Sequence, residues 1–366
     1  MLRGNYLKSG MFNALTSTGE TMIVTPEGSA VVYDKLIKEP IDAPLVEYKP
    51  MRNEVFSRNG KHTVALVRTD DRMAGFQDAF KQIGGLEKLC SGVKGEIIIK
   101  PNCNTDDPFP RNTSHETVRV IAESLIDSGF PANKICVGDA SGRYRGLPTR
   151  HTIENMGIKK VADELGIQVG YFEEEEWVTI KPPKSVAWPN GIRIPRRIYE
   201  AGRVILTPIM RPHRTPVFTI ALKLPVGIID PVAREWLHYN QNENFINKMI
   251  DLNMTFTADL VVTDGMKFYT GRPPTFDEMV SPGIVIVGSN SVASDAVAVC
   301  LMKKHKAHRM EDVPVRDHLS FKVGEERGIG SSSLSKIELV TRNLAGDPAF
   351  DDTVNFVKKE LAYERS

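Results

Sequence analysis

From His62 onward, short β-branched apolar runs alternate with longer stretches of helical period, and that alternation leaves little choice of fold. HTVALVRT, GEIIIKPN, NKICVGDA, IQVGYF, RVILTPI, ADLVVTDG and GIVIVGS read as strands; MAGFQDAFKQIGGLEKL, SHETVRVIAESLIDSG, HTIENMGIKKVADELG, ENFINKMIDLNMTF and VASDAVAVCLMKKH read as helices. Strands apolar on both faces must be covered on both sides, so the expected class is α/β, a mostly parallel sheet flanked by helices. The segment WVTIKPPKSVAWPNGIRIPRRIYEAG breaks the rhythm. Its PNG turn between short apolar runs predicts an antiparallel excursion or small subdomain at about 176–200. The expected layout is an N-terminal extension or small hairpin over 1–60, one α/β domain over 61–350 and a C-terminal tail over 351–366.

The chain has 366 residues, 41% of them apolar, enough for a large core. Forty-seven Lys and Arg face 46 Asp and Glu, so no bulk positive field points to nucleic acid, and any cationic function must be local. The four cysteines, Cys90, Cys103, Cys136 and Cys300, form no CxxC pair and no ferredoxin run, so no iron–sulfur cluster of the chain's own is expected. No apolar stretch reaches membrane-spanning length, and the first residues lack a secretory pattern. A cytoplasmic protein without membrane or nucleic-acid partners is expected; the oligomeric state is open.

In open parallel sheets, ligands gather beyond the carboxyl ends of the strands. Those positions are polar here: Lys100, Asn102 and Cys103 after one strand, Asp139 after the next, Asp264 after ADLVVT, and after RVILTP the stretch MRPHRTPVFTIALKLPVG with Arg211, His213 and Lys223. Taken singly, each has an ordinary structural use: Asn and Asp satisfy turns, and lysines snorkel. Their joint placement favours a site. Ser114 and His115 open a helix whose free N–H groups suit an anion.

The expected function is therefore an enzyme acting on a small carboxylate- or phosphate-bearing metabolite. Lys100, Asn102, Ser114, His115 and Arg211 would bind it, and His213 or Lys223 would move a proton with Asp139 or Asp264 as orienting groups. Lyase, isomerase, cyclase and ligase chemistry all fit. A second reading draws iron ligands for redox chemistry from His115, His213, His238, Asp139 and Asp264. A third is a non-enzymatic accessory partner of a redox system. The loop GDASGRYRGLPTRH, with Arg143 and Arg145, matches neither GxGxxG nor a P-loop, and neither GxSxG nor HExxH occurs.

The series IIIKPN, VGDASG, EAGRVILTPIMRPHRTPVFTIALKLPVG, LHY, DLVVTDG and GSNSVASDAVAV resembles the ordered motifs of the DUF362 family, whose function is unknown. The resemblance implies a single α/β domain, fused in some members to a ferredoxin-like module that this sequence lacks. Where the family's motif carries a lysine–histidine pair, this chain has Arg211 and His213. The family's Lys-Asn appears as Lys223 followed by Leu224, and its Gly-Asn-Gly-Pro loop is replaced by Tyr269 to Pro274. Arg at 211 is a permanent planar cation, suited to clamping an anion rather than to acid–base work.

Overall fold

Eight strands form the central sheet of the computed structural model, which describes residues 12–15, 21–24, 41–140, 149–273 and 278–365. In chain order they are β1 (His62–Arg68), β2 (Ile97–Pro101), β3 (Ile135–Asp139), β4 (Gln168–Tyr171), β5 (Arg203–Thr207), β6 (Leu260–Gly265), β7 (Ile284–Gly288) and β8 (Ile337–Asn343). Their spatial order is β8-β1-β7-β6-β5-β2-β3-β4. Only β7 pairs antiparallel with its neighbours, so the other seven carboxyl ends share one edge of the sheet.

Alternate residues of each strand feed two apolar layers. Ala65, Val67, Ile97, Ile99, Ile135, Val137, Leu260 and Val262 pack on one face against α1 (Arg72–Ile83), α2 (His115–Asp127) and α4 (Ile158–Leu165). The opposite set, including Leu66, Ile98, Leu206, Val261 and Ile286, packs against α6 (Phe245–Asn253), α7 (Ser291–Lys304), α8 (Leu319–Arg327) and α9 (Phe350–Ala362). Both faces are therefore dry, as uniformly apolar strands require. The antiparallel excursion is a hairpin of Trp177–Ile180 with Ile192–Pro195; its turn closes where Gly191, at φ 85°, donates to Trp188 O at 3.0 Å. Gly191 tolerates that left-handed conformation because it has no Cβ.

Two single helices expected from periodicity are each broken. α1 ends at Gly84, φ 117°, before a short turn at Glu87–Cys90, and α3 (Thr149–Asn155) is parted from α4 by Gly157 at φ 75°. Helix α5 (Pro231–Asn242) was not anticipated. The segment read as a C-terminal tail is mostly α9, which buries Val357 and Leu361 completely against the core. At the N-terminus, the strand-like TMIV pairs with Phe12–Leu15 in a hairpin, whereas the AVVYD piece and the Arg143–Arg145 loop lie outside the described residues. No helix among the described residues is long and apolar enough to cross a membrane.

Candidate functional site

After β5 the chain bridges to Asp264 through Ile209 and then makes a tight ribbon, Arg211 and Pro212 pairing with Thr219 and Phe218. His213 N–H donates to Val217 O at 2.7 Å across its turn, and Val217 is held at φ 74°. A β-branched residue at positive φ is strained, and such strain persists only where the surroundings enforce it. The ribbon runs into a second anchored segment: Asp295 of α7 accepts the N–H groups of Ala221 and Leu222, both at 2.9 Å, and Asn253 donates to Leu222 O at 2.7 Å. Lys223 follows, at the start of the 3-10 turn Leu224–Ile228.

Lys223 and His213 are half-buried: protein packs around both side chains, and part of each keeps its surface open to solvent. Lys223 has no hydrogen-bond or ion-pair partner among the described residues. Burial, then the nearby charge of Arg211, brings its pKa down to about 7. The same burial, with Lys223, Arg211 and His238 adding their charges, holds His213 well below its ordinary value. Thr215 N–H donates to His213 Nδ1 at 3.2 Å, so the neutral ring carries its proton on Nε2.

Arg211 is buried, and burial followed by the charge of Arg111 lowers its pKa to about 10, so it stays cationic at neutral pH. Its Nη1 donates to Arg111 O at 3.4 Å, while the Arg111 side chain pairs with Asp107 at 3.0 Å. His238, from α5, contacts Asn242 Oδ1 at 2.7 Å.

Lys100 and Asp139, at the ends of adjacent strands, form a buried ion pair at 2.7 Å. Asp139 also accepts the N–H groups of Cys103 and Ala140 at 2.7 Å each, and Lys100 donates to Pro101 O. Burial raises the pKa of Asp139 and Lys100 opposes that rise. Gly227 lies directly over the pair, where a Cβ would stand 2.4 Å from Asp139 Oδ1 and 2.7 Å from Lys100 Nζ. The ion pair thus seats the far end of the turn that begins at Lys223.

Asp264 faces the other layer. It accepts from Arg72 Nε at 2.8 Å and Thr117 Oγ1 at 2.6 Å, and three strand spacings, about 14 Å, separate its strand from that of Asp139. Ser114 caps α2 through Glu116 N–H at 3.2 Å; His115 is exposed beside Gly157. Asn102 is buried and accepts from Asn104 N–H. Among the described residues, no three His, Cys, Asp or Glu side chains form a group that could hold a metal ion. Arg111, Asn253 and Gly227 were not singled out from the sequence. Only Gly227 left a signal there, as a glycine closing the LPVG turn.

The family described as a domain of unknown function, DUF362, matches residues 97–300, more than half of the chain and all of the ribbon and Lys223 segment. A thylakoid-associated protein of Synechocystis sp. is 22% identical over 253 residues, covering 66% of this chain and 74% of that protein. The lactate racemase apoprotein of Thermoanaerobacterium thermosaccharolyticum aligns at a TM-score of 0.39 and 12% identity, over 76% of this chain and 59% of that one. The match therefore spans less than two thirds of the racemase chain.

Proposed function

This chain belongs to the DUF362 family, and on that premise we propose that it is an enzyme acting on a small anionic metabolite by acid–base chemistry at Lys223. The observation that carries the reading is the Lys223 amine, half-buried and without a partner among the described residues; burial and the charge of Arg211 bring its pKa down to about 7. A lysine in that state is divided between amine and ammonium at neutral pH, as a general base requires. Leaving it unpaired has no structural benefit, because a buried ammonium without a partner is destabilising.

The roles divide by charge. Arg211 holds the carboxylate or phosphate, since it cannot give up its proton near neutrality. Lys223 takes the proton. His213 is too resistant to protonation to carry one; its Nε2–H instead donates a hydrogen bond to the oxygen on which charge develops. Lys100 and Asp139 hold the turn that aims Lys223, and Asp264 acts with Arg72 and Thr117 in joining α1 and α2 to the sheet.

The test is substrate-independent at the outset. Wild type and Lys223→Met are incubated with a polar metabolite extract, and the loss of anionic compounds is followed by mass spectrometry. Consumption of one anionic compound or a related set by wild type alone is expected, with Arg211→Ala needing far more of it. Equal consumption by wild type and Lys223→Met would contradict the reading.

A further inference from the structure

Lys100 and Lys248 are the least exposed lysines among the described residues, and both are engaged: Lys100 with Asp139 and Pro101 O, Lys248 with Trp236 O at 2.7 Å. Lys223 differs. Its amine has no hydrogen-bond or ion-pair acceptor among the described residues, its side chain keeps part of its surface open to solvent, and the Arg211 guanidinium and the His213 imidazole are close enough for their charges to act on one another.

A desolvated lysine beside a fixed cation is the arrangement that makes an amine nucleophilic toward carbonyls. A guanidinium favours a carboxylate, and an imidazole N–H favours a carbonyl oxygen. The ligand that satisfies all three at once carries a carbonyl directly next to a carboxylate.

We propose that Lys223 forms a reversible imine with a small 2-oxo acid whose carboxylate is held by Arg211 and whose carbonyl oxygen is polarised by His213 Nε2–H. The inference rests on the anion-binding reading above and adds a covalent step to it. The Nζ lone pair forms the N–C bond as the carbonyl π pair moves to oxygen. One proton from the medium and one amine hydrogen leave with that oxygen as water, and the protonated imine keeps the other amine hydrogen. No oxidant or reductant is needed. The positive imine then acts as an electron sink, acidifying the neighbouring C–H or loosening the carboxylate.

The test is hydride trapping. The full-length protein is incubated at pH 7.5 with glyoxylate, 2-oxobutanoate or 2-oxoglutarate, then reduced with cyanoborohydride. Intact mass should rise by one oxo acid less one water plus two hydrogens, and peptide mapping should place the adduct on Lys223. Lys223→Met, checked for native circular dichroism, should lose it; Arg211→Ala should cut the rate of trapping at least tenfold. In parallel, calorimetry with 2-hydroxybutanoate, which has no carbonyl, reports anion binding alone. If the hydroxy acid binds through Arg211 and no oxo acid is trapped, the imine is overturned and the acid–base reading stands. If neither ligand binds and nothing is trapped, both fall. Labelling spread equally over surface lysines in wild type and Lys223→Met also overturns the imine.

Discussion

The carboxyl group of Asp295, on helix α7 in the same layer as the Lys223 segment, accepts the N–H of Leu222 at 2.9 Å, one residue before Lys223. Its other oxygen takes the N–H of Ala221 at the same distance. A wholly buried carboxyl, with a pKa pushed up to about 8 by that burial, is therefore used to hold two backbone groups of the segment that presents the amine. Asp295 is a positioning residue: it reaches the site through the backbone of its neighbours.

Asp295→Asn keeps the shape and replaces one acceptor oxygen by an amide nitrogen, leaving one of the two backbone N–H groups without an acceptor. A loss of about 1–3 kcal/mol in unfolding free energy is expected. More tellingly, the Lys223 pKa should move back toward the ordinary lysine range as its segment loosens, a change that a purely structural role would not produce. Urea denaturation gives the first quantity and pH-dependent amine labelling the second.

Lys223→Met should make the protein more stable while removing its reactivity. Lys223 titrates near 7 in the folded protein and near about 10.4 in the unfolded chain, so between those values the unfolded chain holds a proton that the folded one lacks. Wild-type stability therefore climbs with pH across that window, and below pH 7 the full cost of burying the ammonium is present. At pH 6 the variant should gain roughly 2–4 kcal/mol, the residual solvent contact of the side chain keeping the figure moderate. By pH 10 the gain should be largely gone. Equal or lower stability of the variant at pH 6 in urea melts would count against the burial of an unpartnered ammonium.

Gly227→Ala should be strongly disruptive although alanine is the smallest substitution. Its Cβ would meet both Asp139 and Lys100 well inside contact distance. The turn must lift or the ion pair must open; overpacking of this kind costs about 1–3 kcal/mol. Breaking the pair outright with Asp139→Ala should cost more, about 3–5 kcal/mol, because Lys100 would be left buried and charged. Thermal denaturation of the two variants side by side should give that order.

Much of this architecture is legible locally. Strands such as Ile97–Pro101 and Ile284–Gly288 are apolar on both faces, which announces a covered sheet, and Ser114 announces the start of α2 through its capping side chain. The order of strands is not local information. Asp139 and Asp264 occupy equivalent positions along the chain pattern, each at the end of a strand, yet two other strands lie between them and their side chains serve different layers. The helix breaks at Gly84 and Gly157 escape a periodicity argument because the apolar spacing continues across them. For α9 the signal was present: Phe350, Val354, Val357 and Leu361 recur at helical spacing and all are buried. The state of Lys223 could not be read from FTIALKL, where a snorkelling lysine looks the same; its character comes from burial and from the charge of Arg211, both set by tertiary packing.

The most direct measurement is the pKa of Lys223 itself, which requires no substrate. Competitive trace acetylation across pH 5 to 11, with peptide mapping, gives the titration and intrinsic reactivity of each lysine separately. The account predicts that Lys223 titrates near 7. Arg211→Ala should raise the Lys223 value, because the neighbouring charge that opposes its protonation is gone. A Lys223 that titrates with the surface lysines in wild type, and does not respond to Arg211→Ala, would contradict the claim that this site holds a reactive amine.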